Sequence, residues 1–376
     1  MSSVSDDPQP APDRRRRRLR RLFALFAAAV GVAASIAIAE FGLRAFARVG
    51  LDYERRSLQY FATAIEYAWQ RLPPVTPPAL PPGLDLDGRL FWHKPNLDVA
   101  IGDFRVRTNA FGCRGPDVAE PKPDGGYRVL MLGDSVVFGW GVDDDVTFVR
   151  RLEREWNSVH PDRRIEVINT AVPKYDSNQE EATLRELGPR LRPDLVLLVY
   201  VVNDIEPTRD LDELVLTGKK PHAEEQLAIP DDAWSWLSAR LHPYVPAIAT
   251  LLGRRTDLAA RVQQVLPPGQ RYRPEQFGWG PRGWPRSQAA LLRMRDWCKA
   301  AGVPFVVFDH TLPRLESLRP FCTEQQIDYE PFWFDDADLA QDICNSWCDS
   351  HANARGHELL LGRLRAVLER RGLLPR

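Results

Sequence analysis

Tyr127-Arg128-Val129-Leu130-Met131-Leu132-Gly133-Asp134-Ser135 is the stretch on which the fold turns. A short apolar run entering a glycine reads as a buried strand of a parallel sheet. Working outward, Phe148 to Trp156 is amphipathic and predicts a helix, and Ile165-Glu166-Val167-Ile168-Asn169 predicts a second strand. Gln179 to Leu191 reads as a helix that stops before Pro193. Asp194 to Val202 is almost wholly apolar and β-branched, the strongest buried-strand signal in the chain. Ala289 to Ala301 predicts a helix closed by Gly302, Val303 to Asp309 a fourth strand, and Gly356 to Arg371 a final amphipathic helix. Strands alternating with helices imply an α/β fold, a three-layer doubly wound parallel sheet with right-handed crossovers. Such sheets carry their sites at the carboxyl ends of the strands.

The amino-terminal part reads differently. Residues 1–21 form a basic tail in which Arg14 to Arg18, Arg20 and Arg21 oppose Asp6, Asp7 and Asp13. The uncharged run from Leu22 to Ala39 would span about 27 Å as a helix, close to the roughly 30 Å hydrocarbon core. With the residues that follow, 22–43 is read as a transmembrane signal-anchor, its arginines on the cytoplasmic side and the body on the periplasmic or extracellular side. Two alternatives stand beside it. Ala37-Ile38-Ala39 is similar to a signal-peptide cleavage site, and a buried helix of a soluble core has the same apolar content. Residues 44–89 are expected to hold a juxtamembrane helix over Tyr53 to Leu72 and a stiff proline-rich spacer over 73–83. That leaves 90–376 as the catalytic-looking domain, with 206–286 as an insertion that could cap it or merely pack on its edge.

Composition narrows the function. The chain has 376 residues, 44% hydrophobic and 27% charged, which excludes disordered and collagen-like proteins. Beyond the basic tail the body is net acidic, so it lacks the footprint of a nucleic-acid binder. Five cysteines suit an exported body, and a disulfide from Cys322 to Cys344 or Cys348 is expected. Their spacing with histidine matches no zinc site, and neither a metal nor a cofactor is expected.

The residues that could carry chemistry sit at strand ends. Ser135 follows a tight strand-to-helix turn, which suits a nucleophile and equally suits a helix cap. Asn203, after the third strand, could donate its amide to an oxyanion or satisfy its own turn. Asp349 and His351 stand two residues apart, so the carboxylate can hold the ring's tautomer while the other nitrogen takes a proton. His357, six residues on, reads as structural.

Together these residues resemble the SGNH, or GDSL-type, hydrolase superfamily in its membrane-anchored bacterial form. Gly133-Asp134-Ser135 matches its first block, and Asn169-Thr170-Ala171-Val172-Pro173-Lys174-Tyr175 is similar to the second, with Ala171 where the family has glycine. Asn203-Asp204 matches the third, though Val201 replaces a usual glycine, and Asp349 to His357 resembles the last. There the family often spaces its Asp three residues before the His, against two here. Arg107 to Gly115 is similar to the lead-in of anchored relatives. The resemblance implies a flavodoxin-like SGNH fold and a triad of Ser135, His351 and Asp349. It also implies an oxyanion hole of the Ser135 and Ala171 amides with the Asn203 side chain. The implied activity is a serine esterase, acting through an acyl-serine on O-acyl esters of an envelope glycan, lipid or small molecule. An acyltransferase would use the same residues, and a binding or assembly protein could keep the fold without turnover. Were Ala171 held at positive φ, it would be strained by roughly 1 kcal/mol.

Overall fold

The computed structural model of the protein describes residues 14–46, 53–71, 88–205, 244–245, 248, 271–272, 280–312, 314–346 and 349–375. The spacer at 73–83, nearly all of the insertion up to 279, and Cys348 lie outside the described residues. The chain divides into two compact units, residues 1–51 with 231–255, and residues 52–230 with 256–376.

In the first unit, α1 (Arg14–Phe46) is one continuous helix. Its segment Arg20–Gly42 is long and apolar enough to cross a membrane, and all of it but Glu40 and Gly42 is exposed. Leu22, Phe23, Leu25 and Phe26 are all exposed, which is the face a lipid solvent would cover. A helix of this kind near the amino terminus serves as a membrane anchor or as a signal sequence.

The second unit is built on five parallel strands. These are β1 (Tyr127–Leu132), β2 (Ile165–Asn169), β3 (Leu195–Tyr200), β4 (Phe305–Asp309) and β5 (Asp328–Pro331). Their spatial order is β2-β1-β3-β4-β5, with every pairing parallel. That is the flavodoxin-like order, in which the chain reverses direction across the sheet between β1 and β3.

Side-chain alternation then assigns the layers. Val129, Met131, Leu195, Leu197, Val199 and Phe308 pack on one face with Phe148 and Leu152 of α4 (Phe148–Val159). Their neighbours Leu130, Leu132, Val196, Leu198 and Val307 pack on the other with Leu184 and Leu187 of α5 (Ser177–Leu191) and Leu291 of α6 (Gly280–Ala301). All six residues of β3 are buried, at about 1.5–3 kcal/mol for each large apolar side chain. This double burial is why its sequence shows an unbroken apolar run and no alternation.

Several expectations need correction. α2 (Tyr53–Thr63) is shorter than expected, and Ile65–Tyr67 leaves the helix to pair antiparallel with Phe91–His93. Tyr60 and Phe61 join the core, so the segment expected as a juxtamembrane helix packs into the body. The fifth strand Asp328–Pro331 escaped the sequence reading because acidic residues and a proline mark it as an edge. It is fed by α7 (Leu318–Glu324). α6 begins at Gly280, so the last residues of the 206–286 insertion are helix. Cys322 is a free, fully buried thiol, so neither expected disulfide from it exists.

Candidate active site

At the carboxyl end of β1 the chain turns through Gly133, whose φ of 153° lies in the region that favours glycine. A Cβ there would sit 2.4 Å from Val137 Cγ2, so the turn requires glycine. Asp134 then caps α3 (Ser135–Phe138), its Oδ1 accepting the Val136 N–H at 3.0 Å. Gly139, left-handed at φ 83°, ends this single turn and returns its N–H to the Ser135 carbonyl.

The whole elbow is held from outside by Arg114. Its buried guanidinium lies 4.3 Å over the Phe138 ring and donates to the carbonyls of Phe138, Gly139 (2.8 Å), Val142 (2.6 Å) and Arg105 (3.2 Å). Burial pushes this guanidinium down to about 10, still charged at neutral pH. The Asn169 side chain donates to the Val137 carbonyl at 2.8 Å and completes the clamp.

His351 arrives from a hairpin absent from the sequence reading, β6 (Cys344–Ser346) paired antiparallel with β7 (Asp349–Ala352). Alternate residues of a strand face the same side, so a spacing of two brings Asp349 and His351 together. The Asp349 Oδ1 accepts from the His351 Nδ1 at 2.6 Å and from its backbone N–H at 3.2 Å. The shorter Asp-to-His spacing therefore fits a strand. Burial pushes the Asp349 carboxyl up, but the three hydrogen bonds from His351 and Asn345 more than offset it and leave it below the ordinary carboxylate range.

His351 Nε2 stands 2.9 Å from Ser135 Oγ. With Nδ1–H committed to Asp349, Nε2 presents its lone pair to the serine hydroxyl. Ser135 Oγ also lies 3.1 Å from Asp134 Oδ2, so one hydroxyl proton faces two acceptors, and the histidine is the nearer. Trp140 flanks the ring, with centroids 6.2 Å apart.

The three expected oxyanion donors are placed unequally. Asn203, in the turn after β3, donates Nδ2 to Asp134 Oδ2 at 2.9 Å and so stands beside Ser135. Ala171 is buried at the end of β2, and its N–H lies 3.2 Å from Asn169 Oδ1. It is absent from the non-glycine residues at positive φ, which among the described residues are Asn96, Lys174, Arg192 and Gln326. Alanine replaces glycine there without backbone strain. All these groups gather at the ends of β1, β2 and β3, the switch point of the sheet.

Two contributors gave no signal in the sequence. Asn345 bridges the Trp140 carbonyl (2.9 Å) and Asp349 Oδ2 (3.4 Å), locking the carboxylate from behind. Arg114 lay inside the noted lead-in, but its role depends on contacts distant in sequence. His357 is a core residue, accepting the Phe148 N–H at Nδ1 and stacked on that ring. Asn353 caps α8 (Ala354–Arg371), accepting from Arg355 and Gly356.

The family model for the GDSL-like lipase/acylhydrolase family matches residues 131–359, a span that holds every residue placed at the site except Arg114. Among solved structures, the chain is similar to the psychrotrophic esterase EstA from a Pseudoalteromonas species. The two share 13% identity over 65% of this chain and 97% of that one, with a TM-score of 0.36. It is also similar to a GDSL-like lipase from Bacteroides thetaiotaomicron, with 11% identity over 67% and 92% and a TM-score of 0.34. A third likeness is to a member of the lipolytic G-D-S-L family from Veillonella parvula, with 11% identity over 65% and 99% and a TM-score of 0.37. No curated protein matches the chain.

Proposed function

The chain belongs to the GDSL-like lipase/acylhydrolase family and is a hydrolase of ester bonds, and on that premise we propose that Ser135, His351 and Asp349 form its catalytic triad. The continuous relay Ser135 Oγ–His351 Nε2 and His351 Nδ1–Asp349 Oδ1, at 2.9 and 2.6 Å, is the observation that carries the reading.

His351 takes the hydroxyl proton as Ser135 Oγ attacks the ester carbonyl carbon, and the ionised Asp349 stabilises the imidazolium that forms. Negative charge gathers on the carbonyl oxygen, where the Ser135 N–H and the Asn203 amide receive it. The Ala171 N–H, loosely held at 3.2 Å by Asn169, turns to join them. His351 then returns the proton to the departing alcohol and leaves an acyl-serine. Water, activated by the same ring, attacks the acyl carbon and releases the acid.

The substrate is an O-acyl ester of an envelope glycan, lipid or small molecule. The exposed apolar helix at Arg20–Gly42 supports attachment to a membrane. Seven arginines between Arg14 and Arg21 support a cytoplasmic amino terminus, which puts the hydrolase on the opposite side.

The test is covalent labelling of the full chain in detergent micelles by a fluorophosphonate, beside Ser135→Ala and His351→Ala. Labelling of the wild type and neither variant is expected. A folded wild type that stays unlabelled, and hydrolyses no aryl ester, would overturn the triad.

A further inference from the structure

Behind Asn203 lies a buried polar chain that the triad does not use. Asp204 is 2% exposed and Glu180, in the first turn of α5, is 1% exposed. Asp204 Oδ2 accepts the Val201 N–H at 2.7 Å, tying the two ends of the turn that holds Asn203. Its Oδ1 accepts the Ser177 hydroxyl at 2.7 Å; Ser177 meets the Ser287 hydroxyl at 2.8 Å, and Ser287 meets the Tyr200 hydroxyl at 2.6 Å. Among the described residues Glu180 has no such donors, and both its carboxyl oxygens are sealed from solvent. It stands one turn on from Ser177, on the helix face that meets Asp204, and the Asp204 carboxyl is the group that acts on it most strongly.

Two neighbouring carboxylates out of water cannot both be charged. Asp204, with two donors facing it, is the ionised member, and Glu180 supplies the proton between them. Among the described residues, the further charges that act most on the pair are negative. Asp134 on the elbow acts on both carboxyls, and Asp176 at the α5 cap acts on Glu180. Arg293 of α6 turns away to Glu181 and Asn178.

We infer that Glu180 is a positioning residue for the oxyanion donor Asn203, acting through a proton shared with Asp204 that keeps the Val201–Asp204 turn in place. The inference rests on the esterase reading. Losing that proton puts a second charge into a dry site one residue from Asn203. Asp204 then pulls away from Glu180, the turn shifts, and the Asn203 amide leaves the position that Asp134 Oδ2 marks.

The sign follows from the carboxyl pKa values. Burial, reinforced for Glu180 by the Asp204 charge, pushes both above their values in the unfolded chain. Stability from the pair is therefore greatest in acid and is lost as pH rises through the folded values. Tyr200 does not confuse this window, because burial and the Asp204 charge push its phenol well above the usual range.

The experiment measures kcat and KM for a chromogenic aryl ester from about pH 6 to about pH 10, with Tm over the same range, on the full chain in detergent micelles. In the wild type, kcat falls about tenfold or more on the alkaline side with KM unchanged, and Tm falls in the same window. Glu180→Gln can donate to Asp204 but has no proton to lose. It restores turnover relative to Glu180→Ala and lacks both alkaline losses. An alkaline fall in Glu180→Gln equal to that of the wild type overturns the inference. So does a Glu180→Ala protein with lowered Tm and wild-type kcat, the signature of a merely structural residue. If the wild type hydrolyses no ester at any pH, the esterase reading fails by itself. The proton is then judged on Tm alone, and identical Tm profiles for wild type and Glu180→Gln overturn it.

Discussion

Replacing Asp349 by asparagine removes one charge from the proposed triad and poses a question that the surrounding hydrogen bonds answer. Asp349 Oδ1 faces two donors, the His351 ring N–H at 2.6 Å and the His351 backbone N–H at 3.2 Å, and Oδ2 faces Asn345 Nδ2 at 3.4 Å. The new amide has two orientations. With its oxygen toward His351, it keeps both short bonds and sets two NH2 groups against each other on the Asn345 side, where the contact is already long. With its nitrogen toward His351, it opposes two donors and drives the imidazole into the other tautomer, with Nε2 protonated and useless as a base. The first orientation gives up one weak bond and the second gives up two, so the catalytic tautomer survives. The loss is then that of a charge-assisted hydrogen bond, about 1.5–3 kcal/mol, or roughly 10- to 150-fold in kcat/KM. A tautomer flip would instead cost on the order of 10⁴-fold. Steady-state hydrolysis of an aryl ester at neutral pH, with the fluorophosphonate labelling rate as a second readout, separates the two. A loss near 10⁴ would refute the orientation argument. A loss under about threefold would remove Asp349 from the triad altogether.

The clamp and the proposed oxyanion hole make further predictions. Asn203→Ala should lower kcat by about 10²–10³-fold with KM nearly unchanged, because its amide meets charge that exists only in the transition state. Steady-state kinetics check this, and a change confined to KM would place Asn203 in ground-state binding. Arg114→Met keeps an apolar stem under Phe138 but strips donors from four carbonyls around the elbow. It should destabilise the protein by about 3 kcal/mol or more, read as a lower urea midpoint at unchanged m-value. An unshifted midpoint would show that water replaces the guanidinium without cost.

The parallel sheet was legible because its inner strands are buried on both faces. Leu195 to Tyr200 is fully buried, and such a run has no other reading at that length. The edge strand Asp328–Pro331 and the pairing of Ile65–Tyr67 with Phe91–His93 were not legible. An edge needs apolar residues on one side only, and a three-residue strand has no periodicity to detect. The starts of α5 and α8 moved outward by two residues for the same local reason. Asp176 and Asn353 supply the caps, and the cap residues and first-turn residues are polar, so an apolar pattern begins after them.

The site divides along the same line between local and non-local information. Ser135 and Asn203 stand where strands end, and His351 stands two residues from an aspartate, so position or spacing marked each together with its residue type. The Asp349 spacing became explicable only once residues 349–352 proved to be a strand, where a gap of two puts both side chains on one face. In a helix the same gap would point them about 200° apart, and no triad would form. The groups that fix the geometry are different in kind. Arg114 reaches Phe138 and Gly139 from about two dozen residues away, and Asn345 reaches Trp140 from about two hundred. Their residue types are common and their neighbours in sequence are uninformative, because what they satisfy is a carbonyl or carboxyl that only the folded chain brings near. A reacting group is constrained by its own chemistry and so leaves a mark in the sequence. A positioning group is constrained by its partner, and the partner is set by topology.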